Sequence, residues 1–404
     1  MSPASLRRPS GRTQVFGSLL AMVFLVNLGR VIYAPLLEPF RTTFGASEAA
    51  VGLLATLAWI GSASLRLPTG YLLTKIPRHR IVLVTGLILT ASAIFAATAQ
   101  TLEILYLGAL AMGMASGMYF VAANPLVSEL FPTRVGRMIG IHGTSSQLAS
   151  VAAPLLVAGY FLIVWPIAAW RVVFLTIAAV ALCSTFALYV TARRTELPDA
   201  GMADRRLRTA LRTQWQIVIT AVAVMSFVGL VWNGVFNFYV SFLVETRGFS
   251  QGRAQVFLTL LFATGVPAFF FTGRIADRVR FLPLLFAIMG AFSLALLGLT
   301  VVDSLVGIIA MTAITGYVIH SMFPAIDTYL LASLPDDSRG SSYALYSSAT
   351  MPIQAFGSVI LGTLLGTGLG YHSVFRGFAV GVALVLFVLI ACYSAGWLPQ
   401  GDNS

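Results

Sequence analysis

The sequence predicts an all-α membrane protein with twelve transmembrane helices arranged as two related six-helix bundles. Three observations support this prediction: an apolar composition, twelve long apolar segments, and a repeat that relates the two halves of the chain. Of the 404 residues, 58% are hydrophobic and only 10% are charged, whereas soluble domains carry about 25% charged residues. A soluble fold of this size could not cover its surface with so few charges. The composition therefore excludes a soluble enzyme, a disordered regulator and a fibrous protein.

Twelve apolar segments are each long enough to cross the bilayer core, which takes roughly 20 residues of helix. Their approximate limits, numbered span 1 to span 12, are 15–38, 49–73, 81–99, 104–130, 138–164, 170–192, 214–243, 254–274, 281–300, 304–333, 341–367 and 374–397. The first segment is too long for the apolar core of a cleaved signal peptide, and no clear small-residue cleavage site follows it. We therefore expect it to be retained as span 1.

The basic residues of the loops predict the orientation. With the N-terminus in the cytoplasm, eighteen of the 25 Lys and Arg residues fall on the cytoplasmic side, five fall at the outer side, and Arg30 and Arg66 lie within spans. Cytoplasmic loops collect Lys and Arg, so the asymmetry predicts a multi-pass protein of the cell membrane with both termini in the cytoplasm. The same asymmetry accounts for most of the net charge of +11. We therefore expect lipid around the protein and no nucleic-acid partner.

An internal repeat supports the division into two halves. Three pairs of residues are each separated by 203 positions, namely Gly45 with Gly248, Gly70 with Gly273, and Pro132 with Pro335. We expect residues 1–192 and 214–404 to form the two bundles, with 193–213 as a basic cytoplasmic linker. Parallel repeats of this kind place a binding site near the midplane between the halves.

The loops after spans 2 and 8 resemble a signature of the major facilitator superfamily, Gly-xxx-Asp-Arg/Lys-x-Gly-x-Arg/Lys. The first copy is Gly70-Tyr-Leu-Leu-Thr74-Lys75-Ile-Pro77-Arg78-His79-Arg80, and the second retains Gly273, Asp277, Arg278 and Arg280. The resemblance extends over essentially the whole chain. It implies two six-helix halves, a cavity lined by spans 1, 4, 7 and 10, and alternating access to a solute without a cofactor or a metal.

The resemblance also implies that these two loops gate the cytoplasmic side. The implied gating residues are Gly70, Lys75, Arg78, Gly273, Asp277 and Arg278. Because Thr74 replaces the acid of the first copy, we expect an asymmetric latch in which Asp277 accepts hydrogen bonds from a helix N-terminus of the other half.

The subfamily stays open. Arg66-Leu-Pro68-Thr-Gly70 resembles the span 2 arginine motif of nitrate/nitrite porters, but Phe269 occupies the repeat position of Arg66. The Gly-Pro-rich motif that family antiporters often carry in span 5 is degenerate here at Ala153-Pro154.

Charged and polar side chains inside the spans are the candidate substrate-binding residues, because a charge at bilayer depth costs at least about 2.5–3.5 kcal/mol. Asn27, Arg30 and Tyr33 recur every three residues in span 1 and share a helix face. A guanidinium there suits bidentate capture of a carboxylate or phosphate. The other candidates are Arg66 in span 2, Asn124 in span 4, and Asn233 and Asn237 in span 7, followed by His142 and Gln147 in span 5 and Tyr346 and Gln354 in span 11.

Span 10 offers two candidates for proton coupling. His320 and Asp327 lie seven residues apart, which is two helical turns. His and Asp inside transporters commonly relay protons. The alternatives are a hydrogen-bonded core His and an Asp that pairs with Arg for folding.

Together these features predict a secondary active transporter of a small solute that works as a monomer. The buried arginines favour an anion, and His320 and Asp327 leave proton symport open. A proton-driven exporter of hydrophobic compounds and a non-transporting receptor or scaffold remain alternatives. A membrane enzyme is disfavoured because the sequence has no metal-ligand cluster, nucleophile–base pair or Gly-rich nucleotide loop.

Overall fold

The computed structural model describes residues 11–73, 75–131, 135–197, 213–276, 278–334 and 339–399. Nearly all of these residues are helical. The helices are Gly11–Val31 and Tyr33–Phe44 (span 1), Glu48–Ser64 and Arg66–Leu72 (span 2), Arg78–Ala97 (span 3), Leu102–Leu130 (span 4), Val135–Phe161 (span 5), Ala169–Arg193 (span 6), Trp215–Arg247 (span 7), Gln251–Ala263 and Gly265–Ala276 (span 8), Phe281–Val301 (span 9), Leu305–Ser333 (span 10), Arg339–Ala355 and Gly357–Gly366 (span 11), and Tyr371–Ser394 (span 12).

The number of membrane spans agrees with the sequence prediction. Within the described ranges, eleven spans combine the length and the hydropathy that a bilayer requires. The twelfth, span 5, has 27 residues, so it is about 40 Å long. Its hydropathy is lower because a polar run occupies 142–147. The prediction of an all-α protein with two six-helix bundles is confirmed.

Three interrupted spans have a common cause in proline. Pro35, Pro68 and Pro267 each lack the N–H that would bond to the carbonyl four residues earlier. Those carbonyls belong to Val31, Ser64 and Ala263, which are the last residues of the first helical segments of spans 1, 2 and 8. The sequence thus places a break in each of these spans.

The repeat is visible in the helix caps. Gly45 and Gly248 end spans 1 and 7 with φ of 60° and 66°, in the left-handed region that favours glycine. Two residues later, Ser47 and Ser250 cap spans 2 and 8, and each hydroxyl oxygen accepts the backbone N–H three residues further on. Two pairs of residues at the same offset, one glycine pair and one serine pair, therefore build the same turn in each half.

Some sequence predictions lie outside the described residues. These are the positions of Thr74, Pro132, Asp277 and Pro335 and most of the linker, 198–212. The asymmetric latch and the domain boundaries at 192 and 214 stay predictions.

The two halves touch closely at one end of the molecule. We call the end where span 1 begins the terminal side and the opposite end the far side. Toward the far side, Gly52 of span 2 and Gly362 of span 11 each lie directly against a backbone carbonyl of the other helix. The Val359 backbone N–H also donates to Thr56 Oγ1 across this interface at 3.2 Å. Small residues permit such close helix packing within a membrane.

Candidate functional site

A central cavity of about 150 Å³ lies between the two halves. It receives side chains from spans 1, 2, 5, 7, 8 and 10. Its polar lining consists of Asn27, Arg30, Ser146, Gln147, Ser150 and His320. Its aromatic lining consists of Trp59, Trp232, Phe236, Phe262, Phe269 and Phe323. The cavity is therefore an aromatic enclosure with one guanidinium and a few uncharged polar groups.

Arg30 is held in place by its own helix and by span 5. Its Nη2 donates to Asn27 Oδ1 at 2.6 Å. Asn27 Nδ2 in turn donates to the Ser146 carbonyl at 2.7 Å and to Ser150 Oγ at 3.2 Å. These bonds fix the amide with its oxygen toward the guanidinium, which lies 4.3 Å from the ring centroid of Trp59. This contact is a cation–π interaction.

The charge of Arg30 is not balanced by an acid within the described parts of the chain. No ion pair there includes Arg30, and it experiences the field of a second cation, Arg66. Arg30 Nε and Gln147 Nε2 are buried and have no hydrogen-bond partner. Buried donors are normally satisfied. Two unpaired donors in one positively charged cavity make it the candidate site for a ligand that supplies acceptor oxygens.

His320 lines the same cavity from span 10. The residue is buried, and its Nδ1 lies 2.7 Å from the Gly316 carbonyl. Because a carbonyl only accepts, Nδ1 carries the proton and Nε2 is the acceptor of the neutral ring. The Trp232 and Phe262 rings pack edge-on against the imidazole at 5.2 and 5.9 Å. His320 thus offers a proton acceptor among aromatic groups.

Asp327 is not among the cavity-lining residues. Its Oδ1 accepts from the Tyr343 hydroxyl at 3.0 Å, and Tyr343 lies within the electrostatic reach of Arg66. Tyr343 and Asp327 are thus joined by a hydrogen bond in the electrostatic field of Arg66, and we call these three residues the Arg66 cluster. His320 and Asp327 share a helix face, but they do not lie in one site.

Five of the predicted binding residues are not among the described residues that line the cavity, namely Arg66, Tyr33, Asn124, Asn233 and Asn237. The Tyr33 hydroxyl donates to Met112 Sδ at 3.2 Å in the core of the first half. Asn124 is exposed on span 4. The set of described cavity residues includes neither of them.

Asn233 and Asn237 are buried in the second half. Asn237 Nδ2 donates to Ser358 Oγ at 2.9 Å, and Ser358 Oγ donates to Asn233 Oδ1 at 2.8 Å. Both amides thus join span 7 to span 11 rather than line the cavity. The neighbouring aromatic residues Trp232 and Phe236 face the cavity instead.

Trp59, Ser146 and Ser150 also line the cavity, and the sequence does not single them out. A serine or tryptophan in an apolar segment is common, so none of them stands out alone. The available signal was the clustering of polar residues in span 5 between 142 and 150, since a span with so many polar groups has to face something other than lipid.

The far side is closed by an ion-pair network centred on Arg41. Its guanidinium pairs with Glu38 at 3.0 Å and with Glu48 at 2.8 Å in its own half. It also pairs with Glu245 at 2.7 Å in the other half. Ser241, which occupies the repeat position of Glu38, donates to Glu38 Oε2 at 3.2 Å. Arg41 therefore pairs with three carboxylates, and the pair with Glu245 links the two halves.

The described residues of the terminal-side loops make contacts within single halves. Arg78 pairs with Glu129 at the end of span 4, at 2.9 Å. Lys75 is exposed, and its Nζ lies 4.7 Å from the ring centroid of Tyr71. Arg278 is exposed. Their gating role stays a prediction.

The two signature glycines belong to helices. Gly70 is buried in the second segment of span 2, and Gly273 lies in the second segment of span 8. Both segments follow a proline-induced break. The glycines therefore sit where each span approaches the terminal side.

Toward the terminal side, the cavity continues into a crevice between spans 5 and 8. The crevice has a volume of about 440 Å³ and shares Gln147 and Phe269 with the central cavity. Its other lining residues are Gly140, Gly143, Thr144, Val266 and Phe270. The cavity is thus closed on the far side and extended on the terminal side.

Two related six-helix halves around a central cavity, closed at one end, define the architecture of an alternating-access transporter. The chain belongs to the Major Facilitator Superfamily, whose sequence model matches residues 19–351. This is a family of membrane transporters rather than enzymes, as the sequence predicts.

The curated relatives are distant. The probable sulfoacetate transporter SauU of Cupriavidus necator is 24% identical over 295 residues, which cover 68% of this chain and 66% of that protein. The multidrug resistance protein MdtL of Shewanella oneidensis is 23% identical over 284 residues, covering 68% of this chain and 69% of that protein. The chain thus spans about two thirds of the length of each relative.

Solved structures establish the fold over nearly the full chain. A bacterial homolog of the human lysosomal transporter Spinster, in an inward-facing and occupied conformation, has a TM-score of 0.79 at 20% identity and covers 96% of this chain and 97% of that chain. The D-xylose–proton symporter has a TM-score of 0.77 at 17% identity and covers 97% and 99%. The subfamily is not resolved by these similarities.

Proposed function

We propose that the protein is a secondary active transporter that moves a small organic anion across the cell membrane by alternating access. The observation that carries this proposal is the uncompensated Arg30 charge beside two buried, unpaired donors, Arg30 Nε and Gln147 Nε2. A carboxylate or sulfonate would supply the missing acceptors and the missing negative charge. The similarity to a probable sulfoacetate transporter is in keeping with a small organic anion.

The direction of opening follows from the predicted orientation. Lys75, Arg78, Arg80, Arg193 and Arg278 all lie toward the terminal side, and basic residues collect on the cytoplasmic side. With both termini in the cytoplasm, the structure is closed to the outside by the Arg41 network and opens inward. We also propose that the protein works as a monomer.

We also propose that His320 couples proton movement to transport. Its neutral ring presents Nε2 as an acceptor in the cavity that contains Arg30. A protonated His320 would add a second positive charge to the anion site, so a proton and an anion would favour each other's binding. Asp327 would act separately from His320 and Arg30, in the Arg66 cluster on the inward path.

The aromatic lining favours one alternative function. Six aromatic rings surround the cavity, and one curated relative is a multidrug resistance protein. An exporter of hydrophobic compounds would use these rings and would not require Arg30.

A thermal-shift screen of the purified protein tests the proposal. The ligands are carboxylates, sulfonates, nitrate, phosphate, sugars and uncharged aromatic drugs. We expect organic anions to raise the melting temperature, because a ligand that binds only the folded state stabilises it. Stabilisation by uncharged aromatics alone would favour the exporter, and no uptake of any stabilising ligand into proteoliposomes would favour a receptor or scaffold. Proton coupling requires that uptake of the anion also change the internal pH.

A further inference from the structure

The crevice between spans 5 and 8 is larger than the cavity that it joins. Its volume is about 440 Å³, compared with about 150 Å³ for the cavity. A void of the smaller size holds a molecule about as large as benzene. A longer ligand that is bound at Arg30 would have to extend into the crevice.

One wall of the crevice consists of exposed apolar side chains. Val266, Phe269 and Phe270 of span 8 are 45%, 40% and 56% exposed. Phe269 also lines the central cavity, where it stacks on Phe323 with an interplanar angle of 6°. Aromatic side chains therefore extend from the central cavity into the crevice.

The opposite wall is lined by glycines that leave space. A Cβ added to Gly140 or Gly143 of span 5 would meet nothing within 4 Å. These glycines are not needed for close helix packing, unlike Gly52 and Gly362 at the far-side interface. Their effect is to keep the crevice wide opposite the phenylalanines.

The polar groups lie at one end of this space. Arg30 and Gln147 provide the unpaired donors, and Gln147 belongs to both the cavity and the crevice. A ligand whose anionic group meets these donors would therefore direct the rest of its structure between Phe269 and Gly143.

We propose that the transported anion carries a flat apolar body, and that the crevice between spans 5 and 8 binds this body while Arg30 and Gln147 bind the anionic group. Aromatic surfaces stack favourably on phenylalanine rings. The proposal rests on the proposed transport of an anion and specifies its class as aromatic or similarly bulky sulfonates and carboxylates.

The test compares two sulfonates that remain ionised throughout the usable pH range. Ethanesulfonate fits the cavity alone, whereas 2-naphthalenesulfonate needs the crevice as well. Isothermal titration is performed on the full-length protein in lipid nanodiscs, with empty nanodiscs to subtract partitioning into lipid. We expect the wild type to bind 2-naphthalenesulfonate at least about tenfold more tightly, because the larger apolar area is removed from water.

Two glycine variants of span 5 decide the result. Gly143→Leu fills the crevice, and Gly159→Leu is its control because an added Cβ there also meets nothing within 4 Å. We expect Gly143→Leu to abolish the preference for 2-naphthalenesulfonate and to leave ethanesulfonate affinity unchanged, while Gly159→Leu resembles the wild type. Unchanged ethanesulfonate binding also shows that the variant is folded.

The possible failures are distinguishable. If Gly143→Leu binds 2-naphthalenesulfonate as tightly as the wild type, or if the wild type has no preference, the crevice proposal is wrong and the anion site is unaffected. If Arg30→Gln binds both sulfonates as the wild type does, the anion site itself is wrong and the crevice proposal is lost with it.

Discussion

At the residue scale, the site depends on how Arg30 is oriented. Arg30 and Asn27 were predictable because a charge and an amide three residues apart are conspicuous in an apolar helix. Asn233 and Asn237 carried a similar signal, yet they bond to Ser358 within the second half. Sequence spacing shows which residues share a face, but the neighbouring helix decides whether that face meets a cavity or another hydrogen-bonding group.

We predict that Asn27→Ala weakens ethanesulfonate binding by about tenfold, because hydrogen bonds to charged groups contribute about 1.5–3 kcal/mol. Loss of Asn27 Oδ1 would release the guanidinium from its bond at 2.6 Å. Isothermal titration measures the affinity. Asn237→Ala is the matched control, and we expect it to lower the melting temperature without changing the affinity. Equal losses of affinity in both variants would contradict the separate placement of the two amides.

At the element scale, the far side is closed by one ion-pair network and one pair of tightly packed helices. The proline breaks of spans 1, 2 and 8 were readable from the sequence, because proline removes a defined hydrogen bond. The Arg41 network was not readable, since Glu245 lies about two hundred positions away in the chain and only the packing of the halves brings it to Arg41. The Arg41 network and the packed helix pair hold these helices in the conformation that is closed on the far side.

We predict that Glu245→Gln opens the far side. The substitution removes the only carboxylate of the described Arg41 network that comes from the second half. Spin labels on cysteines placed at the exposed positions Thr43 and Gly252, with Cys183 and Cys392 replaced by serine, would report a longer distance by double electron–electron resonance. Asp303→Asn is the control, because Asp303 pairs with Arg247 inside the second half. An unchanged distance in Glu245→Gln would show that Arg41 does not hold the halves together.

We predict a similar opening for Gly362→Leu. A side chain at Gly362 would collide with the Glu48 carbonyl, whereas one at Gly366, four residues along the same helix, would meet nothing within 4 Å. The collision separates spans 2 and 11 on the far side, so the same pair of labels should move apart. Gly366→Leu should keep the wild-type distance. A wild-type distance in Gly362→Leu would mean that these helices do not form the far-side closure.

At the scale of the whole molecule, the repeat determines the turns within each half as well as the division of the chain into two halves. The paired glycine and serine caps build equivalent turns in both halves, so the two-bundle architecture was available from sequence offsets. The conformation was not available from the sequence, because two similar halves can close against each other at either end. The cavity was predictable only in part, since its aromatic lining and its crevice arise from the angle between the halves. Transport by alternating access requires that this angle change around Arg30.

The central claim is that Arg30 binds the transported anion, and uptake into proteoliposomes tests it most directly. Radiolabelled ethanesulfonate is added outside vesicles that contain the wild type, Arg30→Gln, or the control Arg194→Gln, which changes an exposed arginine at the end of span 6. We expect uptake by the wild type and by Arg194→Gln, and a loss of at least about tenfold in Arg30→Gln because the anion loses its charged partner. Undiminished uptake by Arg30→Gln would contradict the claim.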